Sequence, residues 1–169
     1  STPYTSKDGK YMYFILTRPD GGFLTVTAKT VCDGWKIKYS PYSFGHFILN
    51  LQFLASFDKV YNGSGRKKAE IKFGYANSVS GAFELISKEY KMPLLQNVLS
   101  GSFDGTAVLK LYGNADFARL DYPSGKTSVI PVTDGGILRI KTDEFGLHTV
   151  TPVLNGTDGL NTAIWNGKD

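Results

Sequence analysis

The sequence predicts an all-β protein, an antiparallel β-sandwich or jelly roll with at most one short helix. Three observations predict it. Asp-Gly or Asn-Gly pairs recur at 8–9, 20–21, 33–34, 62–63, 104–105, 134–135, 155–156, 158–159 and 166–167. Gly, and less readily Asn or Asp, accepts positive φ, so such pairs favour tight hairpins. Between them lie short runs in which apolar and polar residues alternate with period two, the pattern of a strand with one wet face. The spacing of the pairs is uneven, which argues against a propeller or solenoid. Two packed sheets are the natural way to bury so many short strands.

Tyr11–Arg18 and Phe23–Val31 read as a hairpin across Pro19-Asp20-Gly21-Gly22. In the second of these, Leu24, Val26 and Ala28 alternate with Thr25, Thr27 and Lys29. Trp35–Tyr39 follows after a turn, with Trp35 assigned to the core. Phe57–Tyr61 and Lys68–Tyr75 flank the loop 62–67. Tyr11–Leu16 and Phe47–Leu54 are apolar on both faces, so each is expected to be covered twice, by a second sheet or by another subunit. Between Gly81 and Ser100 two readings compete. Phe83, Ile86 and Tyr90 have roughly helical spacing, with Pro93 as the stop. The alternative is two strands, Gly81–Lys88 and Leu94–Leu99. Five further strands follow: Thr106–Tyr112, Phe117–Tyr122, Ser128–Val132, Gly136–Thr142 and His148–Val153. A short one is expected at Ala163–Trp165. No long linker interrupts the pattern, so residues 1–169 are read as one domain, with 1–10 and 155–169 as extended or interface segments.

The composition, 41% hydrophobic and 20% charged, is that of a globular chain. No apolar run reaches the length of a membrane span. The stretch Ser1–Lys10 lacks the basic-then-apolar pattern of a signal peptide. That fits a leader already removed, none to begin with, or an excised fragment. The single cysteine, Cys32, excludes an internal disulfide framework and reads as a small filler near a turn. A net charge of +4 permits an acidic partner. The basic residues are scattered except for Arg66-Lys67-Lys68, so no nucleic-acid partner is expected.

Catalytic constellations are hard to assemble. His46 and His148 are the only histidines, and neither lies in a metal-ligand motif. Ser64 sits in Asn62-Gly63-Ser64-Gly65, one residue short of the Gly-x-Ser-x-Gly elbow. Asp116 with Asp121, and Asp143 with Glu144, read as turn carboxylates rather than as a glycosidase pair. Gly63–Lys68 could cradle an anion through backbone N–H groups and basic side chains, but it is not a nucleotide loop. Asn155, Asp158 and Asn161 could offer oxygens to calcium, without the spacing of an EF-hand loop. Asn62-Gly-Ser64 and Asn155-Gly-Thr157 are glycosylation sequons, meaningful only in a eukaryotic secretory setting. No cofactor, metal or catalytic residue is expected, and the chain is read as non-enzymatic.

Aromatic side chains beside turns are the more useful hint. A pyranose ring stacks on Tyr or Trp while Asn, Asp and Gln hydrogen-bond its hydroxyls. The residues that could do this are Tyr39, Tyr42, Tyr61, Tyr75, Asn62, Asn77, Asn155 and Trp165, the last expected at a surface or interface, and Arg66 and Lys67 of the Gly63–Lys68 loop join them as candidate ligand-binding residues. The aromatic strands, together with the stretch Asn155-Gly-Thr-Asp-Gly-Leu-Asn-Thr-Ala-Ile-Trp165, resemble bacteriophage tail-fibre, tailspike or baseplate modules. The resemblance is one of general style over most of the chain and assigns no individual residue. It implies a homotrimer with strands such as Phe47–Leu54 at or near the interface. It also implies location in a virion and a structural role or attachment to a host-surface glycan or protein. A carbohydrate-binding module or adhesin, secreted or extracellular, is the alternative. A small hydrolase on a β-scaffold is the third reading.

Overall fold

A computed structural model of the chain describes residues 4–30, 69–99 and 104–168. These are mostly β, in antiparallel sheets, with a single α-helix among the described residues. The chain divides into two compact units, Ser1–Ile86 and Ser87–Asp169. The segments Trp35–Tyr39, Phe47–Leu54 and Phe57–Tyr61 lie outside the described residues.

The first unit holds a four-stranded sheet whose order follows the chain: β1 (Tyr4–Thr5), β2 (Tyr11–Thr17), β3 (Phe23–Thr30) and β4 (Ala69–Ala76). The hairpin expected between β2 and β3 is present. Arg18 N–H donates to the Gly22 carbonyl at 2.8 Å, and Gly21 N–H to the Arg18 carbonyl at 3.0 Å. Pro19 presets φ for the first turn residue, and Gly21 takes the left-handed position with φ 84°. Asp20 Oδ1 accepts the Gly22 N–H at 2.9 Å, closing the turn.

Register places Met12 opposite Ala28, Phe14 opposite Val26 and Leu16 opposite Leu24. These six are buried together, with Ile71 of β4 packed against them. The other face is buried too, at Tyr13, Thr25 and Thr27. The double apolarity of Tyr11–Leu16 is thus matched by cover on both sides. The wet face expected for β3 is corrected: Thr25 and Thr27 are inside. The reason lies at Gly74, opposite Thr25. A β carbon there would lie 2.6 Å from Thr25 Oγ1 and 3.3 Å from Leu85 Cδ1. Glycine therefore lets a helix residue close over the threonine. The Thr27 hydroxyl donates to the Lys72 carbonyl at 3.5 Å, so its burial does not strand a polar group.

The helix α1 runs from Val79 to Tyr90. Ser78 caps it: its Oγ accepts the Gly81 N–H at 3.0 Å, the third-residue bond of an N-cap. It ends where Lys91 turns to φ 52° and Met92 N–H reaches back to the Ser87 carbonyl at 3.3 Å. Pro93 follows, and β5 (Leu94–Leu99) begins. The two rival readings of this stretch were each right for one half.

The second unit is a sandwich. One sheet has the order β5-β6-β9, with β6 at Thr106–Tyr112 and β9 at Ile137–Lys141. The other has five strands: β7 (Phe117–Asp121), β8 (Thr127–Pro131), β10 (Phe145–Leu154), β11 (Thr157–Asp158) and β12 (Ala163–Gly167). Its order is β11-β10-β7-β8, with β12 also paired to β10. Leu95, Leu109 and Leu138 from one sheet meet Leu120, Val150 and Trp165 from the other in a single core. Burying each such side chain stabilises the fold by roughly 2 kcal/mol.

Turn chemistry repeats. The β7–β8 connection has the geometry of the β2–β3 turn: Tyr122 N–H to the Lys126 carbonyl at 2.9 Å and Gly125 N–H to the Tyr122 carbonyl at 3.0 Å. The β10–β11 turn is Asn155-Gly156, both at positive φ. Two of the expected turn pairs serve otherwise. Asp158 ends β11 before Gly159, and Asn166-Gly167 ends β12. At the β5 side the sheets are tied by a side chain. Asn161 Oδ1 accepts the Leu95 N–H at 2.7 Å, and its Nδ2 donates to the Leu95 carbonyl at 2.8 Å.

Candidate functional site

One end of the first sheet gathers an exposed aromatic ring and charged groups. Tyr75, near the end of β4, is 64% exposed. It stands opposite Leu24 on the same face as Phe73, which is 44% exposed. The Arg18 guanidinium lies 5.1 Å from the Tyr75 ring centroid, a cation–π contact. Arg18 is held in turn by Asp20, Nη2 to Oδ2 at 2.9 Å. Asn77 follows β4 directly and is exposed. The positions are fixed from below. Ala76 pairs with Phe23, and a β carbon on Gly22 would come within 3.3 Å of the Ala76 carbonyl oxygen. The tip of the β2–β3 hairpin is therefore drawn against the end of β4.

This arrangement offers a ring face, guanidinium donors, carboxylate acceptors and a side-chain amide in one neighbourhood. Such a set suits a polyhydroxylated ligand, which needs stacking on one side and paired donors and acceptors at its rim. Of the residues expected from the sequence, the structure brings Tyr75 and Asn77 to this end. Tyr39, Tyr42, Tyr61, Asn62, Arg66 and Lys67 lie outside the described residues. Arg18 and Asp20 were not among the expected site residues. Their signal was the Pro19–Gly22 turn, which placed them at a hairpin tip but not beside a strand 55 residues later in the chain, the separation of Asp20 and Tyr75.

Trp165 is a correction. It was expected at a surface or interface, but it is only 4% exposed and lies in the sandwich core. Its ring stacks on His148 with centroids 4.7 Å apart. The reason is parity: Trp165 pairs with His148 of β10 and so points inward with it. His148 is fully buried and has a structural role. Its Nδ1 donates to the Gly146 carbonyl at 2.8 Å, since a carbonyl can only accept. Its Nε2 lies 2.8 Å from Thr142 Oγ1, which also accepts the Glu144 N–H at 3.1 Å.

The outer face of the five-stranded sheet carries a charge network. Arg119 meets Asp158 through Nη1–Oδ1 at 3.0 Å and Nη2–Oδ2 at 3.3 Å, and Asp121 through Nε at 3.4 Å. The Asp158 hydrogen bonds, aided by Asp121 and opposed by partial burial, push the Arg119 guanidinium above its ordinary range. Asp158 is thus engaged with Arg119, and Asn161 with Leu95, so neither stands free as a calcium ligand. No group of three or more His, Cys, Asp or Glu able to hold a metal occurs among the described residues. None of their helices is long and apolar enough to cross a membrane. No protein-family model, curated protein or solved structure matches this chain.

Proposed function

We propose that the chain is a non-enzymatic, host-receptor-binding or structural β-domain of a virion, and that it engages a host-surface glycan at the Tyr75 end of its first sheet. The observation that carries the reading is the exposed Tyr75 ring, capped on one side by Arg18 and flanked by Asp20 and Asn77. An apolar ring this exposed, with a guanidinium already ordered against it, is a pre-organised stacking platform. The virion setting rests on the resemblance of the aromatic strands and of the stretch 155–165 to tail-fibre, tailspike and baseplate modules.

A glycan array probed with the full chain, followed by titration of the best binder, tests the proposal. Tyr75→Ala should weaken binding about tenfold or more, since a stacked aromatic contributes on the order of 1.5 kcal/mol. A chain that binds no glycan, or binds one equally well without the Tyr75 ring, would refute it. The same platform suits a carbohydrate-binding module or adhesin outside a virion. Immunogold labelling of particles against labelling of cell surfaces separates those settings.

A further inference from the structure

The edge of the sandwich at β8 is exposed and carries no charged side chain. In the β7–β8 ladder the hydrogen-bonded pairs run from Tyr122–Lys126 through Leu120–Ser128 to Ala118–Ile130. Antiparallel geometry then points the N–H and C=O of Thr127 and Val129, and the C=O of Pro131, away from β7. Among the described residues β8 pairs with β7 alone. Thr127 and Pro131 are exposed, and Val129 is 64% exposed. Proteins ordinarily guard such an edge with charge, proline, brevity or cover, and the one such device within β8 is Pro131 at its end. The β4 edge carries Glu70 and Lys72, and β9 carries Arg139 and Lys141. β1 has two residues, β5 is tied by Asn161, and on β12, also uncharged, the Ile164 carbonyl accepts from Asn97 Nδ2 at 3.4 Å. The sequence of β8, Thr-Ser-Val-Ile-Pro, has no charge at all.

We infer that β8 is an interface strand, and that its partner is the β8 of a second copy of this chain, paired antiparallel about Val129. The strand is self-complementary in that arrangement. Val129 N–H meets the Val129 carbonyl of the second copy, reciprocally. Thr127 N–H meets the Pro131 carbonyl. The donor that Pro131 lacks falls at the end of the ladder, where the Thr127 carbonyl stays in water. Charge fits as well. Lys126, just before β8, comes to the end where the second chain leaves its own β8 toward Asp134, and opposite charges there favour the antiparallel register over the parallel one. Two five-stranded sheets would join into one continuous sheet across a two-fold axis.

Sedimentation equilibrium of the full chain, with amide hydrogen exchange at Thr127 and Val129, tests this. The expected result is a reversible dimer in which both amides are protected, and lose protection on dilution. Val129→Lys sets two lysines opposite each other and should raise the dimer dissociation constant roughly tenfold or more. Thr127→Lys, at a second exposed position, should act in the same direction, and circular dichroism confirms the fold of either variant. A monomer with freely exchanging amides overturns the inference. So does a trimer, a monomer whose amides are protected by another segment, or a dimer indifferent to both substitutions. A dimer that binds no glycan would refute only the Tyr75 reading, and a glycan-binding monomer only this one.

Discussion

At Gly167 the backbone takes a φ of 69°, and a β carbon there would press on the Glu144 carbonyl and lie 2.5 Å from His148 Cε1. The Asn166-Gly167 pair is therefore set by close packing against a buried imidazole, although its sequence reads as a turn. Gly167→Ala should cost about 3 kcal/mol, combining left-handed strain with overpacking against backbone. Chemical denaturation of the variant measures it. Asp8 illustrates a smaller effect at an exposed turn. Burial works to raise its carboxyl pKa, but the Ser6 hydroxyl at 2.7 Å and the Lys10 N–H at 3.0 Å, with the Lys10 charge, hold it below the ordinary value. A folded pKa below the unfolded one gives stability that is present above about pH 3.9 and lost as pH falls through the folded value. The β1–β2 turn should therefore loosen only in strong acid. Following the Lys10 amide resonance from pH 5 downward checks this, and Asp8→Asn should abolish the transition.

Among the elements, β5 depends on a side chain for part of its backbone pairing. Asn161 presents its amide to Leu95 as a neighbouring strand would, and Leu160 N–H adds a bond to the Pro93 carbonyl at 2.8 Å. Asn161→Ala would leave a buried N–H and C=O without partners and should destabilise the sandwich by roughly 2–4 kcal/mol. Amide exchange at Leu95 should accelerate more than exchange in β7. Asn161 was legible in the sequence only as a polar residue in an Asn- and Gly-rich stretch. The strands themselves were far more legible. β6 matches its expected bounds, and β7, β8, β9, β10 and β12 lie within a few residues of theirs. Period-two alternation is a local property, and turn residues bracket it. The helix was half legible. Its apolar spacing suited helix, but the Ser78 cap and the Lys91 reversal decide its limits, and Lys91 carries no glycine signal.

For the molecule as a whole, fold class was read from pattern, while the candidate site required pairing at a distance. Tyr75 and Asn77 could be named as aromatic and amide groups near a turn. That Arg18 and Asp20 stand beside them follows from the β2–β3–β4 register, which no local motif encodes. Trp165 went to the wrong side for the same reason. Its inward parity is set by its pairing with His148, two strands joined across a bulge between Phe145 and His148. That stacked pair has a spectroscopic consequence. The chain holds two tryptophans. With Trp35 replaced by phenylalanine, the remaining indole would emit from the dry core of the second unit, against an imidazole. Its emission wavelength and lifetime would then gauge the integrity of that sandwich by itself, in a protein whose ligand-binding end is proposed to lie in the first unit.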